Sequence, residues 1–538
     1  MATGSEVIVD KLQAAGVEVC FGLPGVHNLA LWDALRESPI RLVGVRHEQA
    51  AAYAADGFAR ATGRLGVALT TTGPGAANTL GAVGEAWAGR SPVLVIATDI
   101  PSTLRRPGEY RGVLHETDGQ SAMFAPVVKS VHVALDADAV APAAAAAVAS
   151  AVAAPTRPAY LEVATDLLSA EVGADERRAS REAVRAVDVA AAVRVLDDAS
   201  RPLLWVGGGA RDAGEPIRRL AERLAAPALT TYGAAGVLPP GHPCLVGLPP
   251  HVEAAGRLWD EADVVLAIGS DLDGVQTQNF MQPQPPTLIA AGLERPTNYR
   301  VDVFLEGDAG DVAFALAEGV RERDGVPDLG AVRAAACGDL DATALRFLDA
   351  IRFAVPADAN VVVDMCIPGY WLAGFYTPAA PRRLQVPLGW GTLGYAFPAA
   401  LGAALSGTGP TVSVSGDGGF LFACGELATM AQEQIPLTAV IVDDGGYGML
   451  RYDQELSGAQ TYGVDLHTPD FVALAESFGV RAEAVDGLDD AFGEALASHV
   501  AAGGPSVLVA RTPTPLVPPP NTSPNWYRKR TAPVSEVA

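Results

Sequence analysis

The sequence has few cysteines. Its five, Cys20, Cys244, Cys337, Cys366 and Cys424, lie far apart, and no two form a Cys-x-x-Cys pair. A disulfide framework or a zinc site needs cysteines at close, recurring spacings, so the sequence encodes neither. Isolated thiols are typical of a reducing compartment, and we expect a cytoplasmic location.

Long apolar runs are also missing. The longest, residues 139–154, is almost entirely alanine and valine and contains Pro142. A membrane-spanning helix needs about 20 strongly apolar residues, so we expect no membrane association. The first residues form an amphipathic pattern that includes acidic side chains, and they lack the basic and apolar regions of an export signal.

Basic residues are scarce relative to acidic ones. The chain has 38 Lys and Arg against 62 Asp and Glu, a formal net charge of −24. No general positive field is therefore present to hold a phosphate backbone, and we expect no nucleic-acid partner. A local site can oppose the overall charge, so the acidity leaves small-molecule substrates open.

The chain does have length and regular alternation. Its 538 residues are 49% hydrophobic, and β-branched runs alternate with helical patterns in three stretches. This pattern predicts three α/β domains, each a doubly wound parallel sheet, over residues 1–175, 187–335 and 345–538, the last with a Pro-rich C-terminal tail. The charged stretch 174–186 is predicted to be a linker or a solvated helix.

A Gly-Gly-Gly run follows the first predicted strand of the middle stretch, at residues 207–209. Such runs occur in dinucleotide-binding turns, but also wherever a strand turns tightly into a helix. We favour the structural turn, and a nucleotide-binding oxidoreductase remains an alternative.

The strongest chemical signal lies in residues 411–448. One predicted strand leads to Asp417 in a glycine turn, a helix is expected from about Gly425, and a second strand leads to Asp443 and Asp444. Because the carboxyl ends of neighbouring parallel strands meet at one sheet edge, the carboxylates should lie together. Glycine backbone next to hard oxygen ligands suits a phosphate with Mg²⁺, whereas a pair of tight turns capped by Asp is the structural alternative.

This segment resembles the Gly-Asp-Gly to Asn-Asn motif of thiamine-diphosphate enzymes, in the group of acetolactate synthases and 2-oxo acid decarboxylases. The resemblance implies that Asp417, Asp444 and the Gly446 carbonyl bind Mg²⁺. Asp443-Asp444 replaces the usual Asn-Asn, which adds negative charge beside a diphosphate. The implied cofactor-binding residues are Gly391, Leu393, Gly416, Asp417, Gly418, Gly419, Asp444, Tyr447, Gly448 and Met449.

Two further segments resemble the same family. Residues 46–80 match its Glu-bearing segment, which implies that Glu48 is catalytic and hydrogen-bonds the aminopyrimidine ring of the cofactor. Considered alone, a Glu at the start of an Ala-rich helix is more often a partner of the helix dipole. Residues 387–405 match the segment that bends the cofactor, with Leu393 between its two rings and the Gly391 carbonyl as an acceptor. By itself this segment is also a glycine-rich helix start with an apolar face.

The family resemblance also implies an assembly. In that group the Glu-bearing domain of one subunit meets the diphosphate-binding domain of another, so we expect a homodimer or homotetramer with the site at the interface. The middle stretch lacks the arginines and the strand end usual in FAD-binding members, so FAD is not expected.

The implied reaction is decarboxylation of a 2-oxo acid, with release of an aldehyde or ligation to an acceptor carbonyl, by a lyase or a transferase. Candidate substrate contacts are His27, Thr72, His115 and Gln120, although a lone histidine is more often a surface or capped residue.

The residues of the second substrate site depart from acetolactate synthases. Those enzymes carry a tryptophan and an arginine where this chain has Asp453 and Asp271, which disfavours acetolactate formation and suggests a polar or cationic substrate side chain. Acetolactate synthase proper remains an alternative. So does a noncatalytic binding or regulatory relative, although Glu48, Asp417 and Asp444 together argue against it.

Overall fold

The computed structural model describes residues 2–106, 108–173, 188–325, 327–387, 389–512, 515–520, 522 and 525–528. Three parallel sheets with flanking helices follow one another along the chain, which confirms the predicted α/β architecture of three parallel-sheet domains. The charged stretch 174–186 lies outside the described residues.

The first domain is built on a six-stranded parallel sheet. Its strands, with a small outer pair, are β1 (Ala2–Thr3), β2 (Val19–Gly22), β3 (Arg41–Gly44), β4 (Gly66–Thr70), β5 (Val93–Asp99), β6 (Ser130–Ala134), β7 (Ala159–Ala164) and β8 (Glu171–Val172). The sheet order is β3-β2-β4-β5-β7-β6, and β1 pairs antiparallel with β8. The helices are α1 (Gly4–Ala14), α2 (Leu29–Arg36), α3 (Glu48–Thr62), α4 (Pro74–Ala77), α5 (Leu80–Ala88) and α6 (Ala137–Val152).

The middle domain has a five-stranded parallel sheet. Its strands are β9 (Pro202–Val206), β10 (Ala228–Thr230), β11 (Val264–Ile268), β12 (Thr287–Gly292) and β13 (Val303–Glu306), in the order β10-β9-β11-β12-β13. Its helices are α7 (Ala190–Asp198), α8 (Gly214–Leu224), α9 (Glu253–Glu261) and α10 (Ala309–Gly319), and α11 (Gly330–Gly338) and α12 (Ala342–Ala354) lead on to the third sheet.

The third domain repeats the strand order of the first. Its strands are β14 (Asn360–Val363), β15 (Leu384–Gln385), β16 (Thr411–Gly416), β17 (Leu437–Asp443), β18 (Arg481–Asp486) and β19 (Ser506–Arg511), in the order β15-β14-β16-β17-β19-β18. The helices are α13 (Ile367–Phe375), α14 (Ala396–Leu405), α15 (Asp417–Leu421), α16 (Leu427–Gln432), α17 (Gly448–Leu456), α18 (Phe471–Ser477) and α19 (Asp490–Ala502).

Short 3-10 helices join several of these elements. They span Ser102–Leu104, Gln120–Met123, Ala125–Val127, Thr165–Leu168, Gly208–Ala210, Tyr232–Ala234 and Cys424–Glu426. None of the helices in the described ranges is both long and apolar enough to cross a membrane.

The glycine run after β9 has a packing role. A Cβ atom at Gly207 would collide with the carbonyl oxygen of Gly269, and one at Gly209 would lie 3.0 Å from the same residue. The two strand ends therefore approach closely only because side chains are absent there.

Helix α3 of the first domain and helix α14 of the third pack against each other. A Cβ at Gly57 would collide with the backbone of Ala399, and one at Gly402 with the backbone of Ala54. Small residues on both helices let the backbones meet, and one apolar core runs through both domains. This contact fixes the first domain against the third.

Candidate functional site

A cavity of about 250 Å³ opens at the carboxyl ends of β14, β16 and β17. In this sheet the chain proceeds from β14 to β15 on one side and then to β16 on the other, so the strand order reverses beside β14. Ligands of open α/β sheets bind at such a reversal. The cavity is lined by Met365, Cys366, Ile367, Pro368, Tyr370, Gly391, Leu393, Gly416, Asp417, Gly418, Gly419, Val442, Asp444, Gly446, Tyr447, Gly448, Met449, Leu450 and Leu516.

The structure brings together every cofactor and metal candidate that the sequence analysis placed in the third domain. These are Gly391, Leu393, Gly416, Asp417, Gly418, Gly419, Asp444, Gly446, Tyr447, Gly448 and Met449, and all of them line the cavity. The sequence analysis missed the wall that α13 and Met365 contribute. Its signal was the apolar strand NVVV, which ends at the same sheet edge.

Asp417 does not lie in a glycine turn, and that expectation was wrong. It is the first residue of α15, with Gly416 as the N-cap. This short helix comes before the helix that was expected from about Gly425. The glycines have a different purpose, because a Cβ at Gly418 would lie 2.7 Å from the Tyr447 ring. Their lack of a side chain lets the Tyr447 loop approach the start of α15.

Asp417, which is buried, and Asp444, which is partly buried, form an acidic pair. Asp417 Oδ1 accepts a hydrogen bond of 2.7 Å from the Gly418 N–H, whereas its Oδ2 is buried without a partner. Burial and the Asp444 carboxylate raise the pKa of Asp417 to about 7, and burial raises the pKa of Asp444 to about 6. A buried and a partly buried carboxylate without a direct counter-charge form a site that a cation would stabilise.

The donor set fits magnesium. The side chains of Asp417 and Asp444 and the backbone of Gly446 reach one cavity and offer hard oxygen atoms. No group of three or more His, Cys, Asp or Glu side chains with metal-binding geometry occurs in the described part of the chain. A magnesium ion here would therefore take its other ligands from phosphate and water, as this ion usually does.

Arg451 holds the loop that carries Asp444. Its guanidinium donates to the Gly445 carbonyl at 3.2 Å and pairs with Asp465 at 2.9 Å. The Tyr447 N–H adds a hydrogen bond of 2.8 Å to the Val464 carbonyl. The same guanidinium acts against the pKa rise of Asp444, so one side chain both shapes the loop and offsets its charge.

Asp364 is a structural residue of the site that the sequence analysis did not single out. Its carboxylate accepts backbone hydrogen bonds from Met365 at 2.8 Å, Gly394 at 3.1 Å and Ala396 at 3.2 Å. Burial raises its pKa to about 6. These bonds fix the segment that presents Gly391 and Leu393 to the cavity.

Glu48 lies in the first domain, at the first position of α3, where its residue exposure is 8%. The side-chain amide of Asn78 donates to Glu48 Oε2 at 3.0 Å and orients the carboxylate. Asn78 was not singled out from the sequence, because its position in the short segment after α4 gives no signal of this contact.

The four substrate candidates lie together in the first domain. His27 Nδ1 and Thr72 Oγ1 are 2.8 Å apart, and the rings of His27 and His115 meet edge to face at 5.5 Å. Gln120 Oε1 accepts from the Gly73 N–H at 2.5 Å, next to Thr72. Burial and the His115 ring lower the pKa of His27, which favours a neutral imidazole.

The sequence-predicted residues thus form two groups. The described residues that line the cavity all belong to the third domain, while Glu48 and the four substrate candidates belong to the first. Within one chain the two groups do not share this cavity.

The two acidic residues that suggested a cationic substrate lie in different surroundings. Asp271 pairs with Arg90 at 2.8 Å, and its side chain is 53% exposed. Its charge is already balanced at the surface, so the structure does not support a substrate role for it. Asp453 is partly buried beside the cavity.

Comparison with known families gives three matches in chain order. The family described as "Thiamine pyrophosphate enzyme, N-terminal TPP binding domain" matches residues 2–123, its central domain matches residues 189–316, and its C-terminal TPP binding domain matches residues 365–510. Each match falls in a different one of the three domains: the first ends before β6 and β7, the second spans the whole middle sheet, and the third begins just after β14.

Individual proteins are similar over nearly the whole chain. The chain is 36% identical to a probable 2-ketoarginine decarboxylase, AruI, of Pseudomonas aeruginosa, over 91% of this chain and 90% of that protein. It is 29% identical to a probable acetolactate synthase large subunit of Methanocaldococcus jannaschii, over 96% and 93%. The solved thiamine diphosphate-dependent 4-hydroxybenzoylformate decarboxylase of Rhodococcus jostii superposes with a TM-score of 0.81 at 26% identity, over 95% of this chain and 99% of that one.

Proposed function

Because the chain belongs to the thiamine pyrophosphate enzyme family, we propose that it is a decarboxylase that uses thiamine diphosphate and Mg²⁺ to act on a 2-oxo acid with a cationic side chain. The reaction releases CO₂ and leaves an aldehyde. The observation that carries this proposal is the acidic pair of buried Asp417 and partly buried Asp444 in the glycine-lined cavity of the third domain.

The third domain would hold the cofactor. Asp417, Asp444 and the Gly446 carbonyl bind Mg²⁺ and through it the diphosphate, while Leu393 and Gly391 support the two rings. When bound, thiamine diphosphate supplies the electron sink that decarboxylation of a 2-oxo acid requires.

Glu48 would move a proton at a ring nitrogen of the cofactor's pyrimidine. Glu48 is nearly buried, and the hydrogen bond from Asn78 fixes the orientation of its carboxylate. A group that transfers a proton to or from one defined atom needs such a fixed position. Glu48 and the cavity lie on different domains, so we propose that a second copy of the chain brings its first domain to this cavity. A homodimer is then the smallest active unit, and His27, Thr72, His115 and Gln120 would face the substrate.

The substrate class is supported by similarity and by charge. The relative from Pseudomonas is named for 2-ketoarginine, a 2-oxo acid that ends in a guanidinium group. Asp453 is an acidic residue on α17, the helix whose first residues line the cavity, and such a group could meet it there. We therefore propose 2-ketoarginine, or a 2-oxo acid of the same type, as the substrate.

Carbon dioxide release from a panel of 2-oxo acids tests the proposal. The purified protein receives thiamine diphosphate and Mg²⁺ together or singly, and the panel includes 2-ketoarginine, pyruvate and an aromatic 2-oxo acid. We expect release that requires both additions and that Glu48→Gln lowers by ~100-fold or more. Glu37→Gln, an exposed residue of the same domain, is the matched control. Failure of the cofactor to bind, or full activity of Glu48→Gln, would contradict the proposal.

Acetolactate synthesis is a second candidate, because several relatives of 29–30% identity carry that name. It predicts that pyruvate alone is consumed and that acetolactate accumulates. The same assay with product analysis separates it from decarboxylation to an aldehyde. An absorption spectrum of the purified protein tests the accompanying expectation that the middle domain holds no FAD.

A further inference from the structure

Helix α17 begins in the cavity wall, and Asp453 lies farther along the same helix. Its first residues, Gly448, Met449 and Leu450, line the cavity. Asp453 follows Met449 by four positions and Leu450 by three, so it lies on the same face of the helix. At 1.5 Å of rise per residue it stands ~6 Å farther along the axis than Met449.

Tyr370 is a cavity residue within electrostatic reach of Asp453. Tyr370 belongs to α13 and lines the cavity. Burial and the nearby Cys366, Asp364 and Asp453 raise the pKa of its phenol. Asp453 is therefore close enough to a lining side chain to act on it electrostatically.

The C-terminal segment holds Asp453 in place. Leu516 of this segment lines the cavity, and the Trp371 indole donates to the Val517 carbonyl at 3.0 Å. Farther along, the Asn525 side-chain amide donates to Asp453 Oδ1 at 3.0 Å. The described residues of this segment thus include one that lines the cavity, Leu516, and one that bonds to Asp453, Asn525.

Asp453 has no cationic partner in the described part of the chain. Its carboxylate accepts the hydrogen bond from Asn525, and burial raises its pKa. Asp271, in contrast, is paired with Arg90 at 2.8 Å. The Asp453 carboxylate is partly buried and, among the described residues, has only a neutral amide as its hydrogen-bond partner. A cation that reached it would therefore stabilise its charged form.

We propose that Asp453, oriented by Asn525, binds the cationic end of the substrate's side chain. This inference rests on the proposed function and adds the residue that selects the substrate. A guanidinium is planar and presents several N–H donors, and each carboxylate oxygen accepts more than one hydrogen bond, so Asp453 can bind it while Asn525 remains attached. Asp453 lies one helical turn beyond Met449, so a substrate in the cavity would need a long side chain to reach it.

The test compares two acids of equal shape. One is 2-ketoarginine, and the other is its ureido analogue, in which an oxygen replaces one guanidinium nitrogen and the charge is lost. For Asp453→Asn we expect kcat/KM with 2-ketoarginine to fall at least ~30-fold, mainly through KM, and kcat/KM with the ureido acid to change less than about threefold. Asn525→Ala should produce a smaller loss in the same direction. Glu455→Gln, an exposed acid on the same helix, should change neither value.

The outcomes separate this inference from the proposed function. Equal losses on both acids, or a wild-type preference for the neutral acid, would overturn the role of Asp453 while decarboxylation stands. If no 2-oxo acid is consumed, calorimetric titration of the cofactor-loaded protein with L-arginine and with L-citrulline still decides the matter. Binding of arginine alone that Asp453→Asn abolishes would support the recognition site, and absence of arginine binding would overturn it.

Discussion

Glu426 of the third domain binds the backbone of His47, the residue immediately before Glu48. Glu426 Oε1 accepts from the His47 N–H at 3.0 Å and from the Arg46 N–H at 2.9 Å, while its Oε2 accepts from the Thr429 hydroxyl at 2.6 Å. The carboxylate also stands at the N-terminus of α3, where the helix dipole favours negative charge. The third domain therefore positions the start of α3, the helix of the first domain that carries Glu48.

Glu426→Ala should lower kcat with little change in KM. The substitution leaves the two N–H groups without an acceptor, and the resulting shift of Glu48 should cost ~10- to 100-fold in rate. Glu426→Gln keeps an oxygen acceptor and should recover much of the loss. Steady-state kinetics with the preferred 2-oxo acid provide the measurement.

A matched control lies at the same domain contact. Glu433 pairs with Arg41 at 3.0 Å but does not touch the start of α3. Glu433→Ala should leave kcat nearly unchanged. An equal loss in both alanine variants would show that loosening of the domain contact, and not the position of Glu48, controls the rate.

Gly402→Ala should destabilise the protein by opening the contact between α3 and α14. Its Cβ would collide with the backbone of Ala54, which cannot move without shifting α3. Overpacking of this kind costs ~1–3 kcal/mol and should lower the melting temperature. Gly374→Ala in α13 is the control, since a Cβ there meets no atom within 4 Å and should be neutral or slightly stabilising. A melting temperature unchanged by Gly402→Ala would mean that the helices separate freely.

The sequence predicted the elements of the site better than their packing. Asp417 and Asp444 each follow a β-branched run, and strand ends at one sheet edge meet whatever the loops do. The conformation at Asp417 was misjudged because glycines next to it are compatible both with a turn and with the close approach of another segment. The sequence does not show that the Tyr447 ring packs against Gly418, which is the contact that requires glycine there. The Ala-rich pattern placed Glu48 correctly at a helix start. The catalytic role that the family resemblance implies for it stays a prediction.

Other site residues could not be predicted because their roles depend on tertiary contacts. Glu426, Asn78 and Asp364 bond to groups that the fold brings near and that no local pattern announces. Whether an acidic side chain has a charged partner also depends on tertiary contacts. Asp271 and Asp453 looked equivalent in the sequence, and only the position of Arg90 shows that one of them is already paired.

Asp364→Asn should make the stability of the protein less dependent on pH. Burial raises the pKa of Asp364 in the folded state from the ordinary 3.8 to about 6. A raised pKa means that the folded state holds its proton more tightly, so this group stabilises the wild-type protein at low pH and loses that contribution as the pH rises through 6. The variant has no group that titrates here, so its stability does not fall as the pH rises through 6. Its amide accepts hydrogen bonds from the three backbone N–H groups less well than the carboxylic acid does, so the variant should be less stable than the wild-type protein at every pH.

Melting temperatures of both proteins between pH 5 and 8 check this expectation. The deficit of Asp364→Asn should shrink by about 1 kcal/mol as the pH rises across that range. A deficit that stays constant, or grows with pH, would show that Asp364 is ionised throughout.

Asp444→Asn should raise the melting temperature of the protein without ligands and reduce the gain from adding them. The amide keeps an oxygen in the cavity but removes one of its two carboxylate charges, which relieves the repulsion with Asp417. In the wild-type protein, Mg²⁺ with thiamine diphosphate should raise the melting temperature, because both bind only the folded state. Asp417→Ala should abolish that rise.

Thermal unfolding with neither ligand, with each alone and with both distinguishes these effects. Asp486→Asn removes an exposed acid at the end of β18, away from the cavity lining, and should behave as the wild-type protein does in all four conditions. A lower melting temperature for ligand-free Asp444→Asn would show that the two carboxylates do not repel each other in the folded state. A wild-type protein that gains nothing from both ligands would mean that the cavity does not bind the cofactor. The combination of a stabilised ligand-free variant and a weakened ligand response is expected only if Asp417 and Asp444 are held together for a cation.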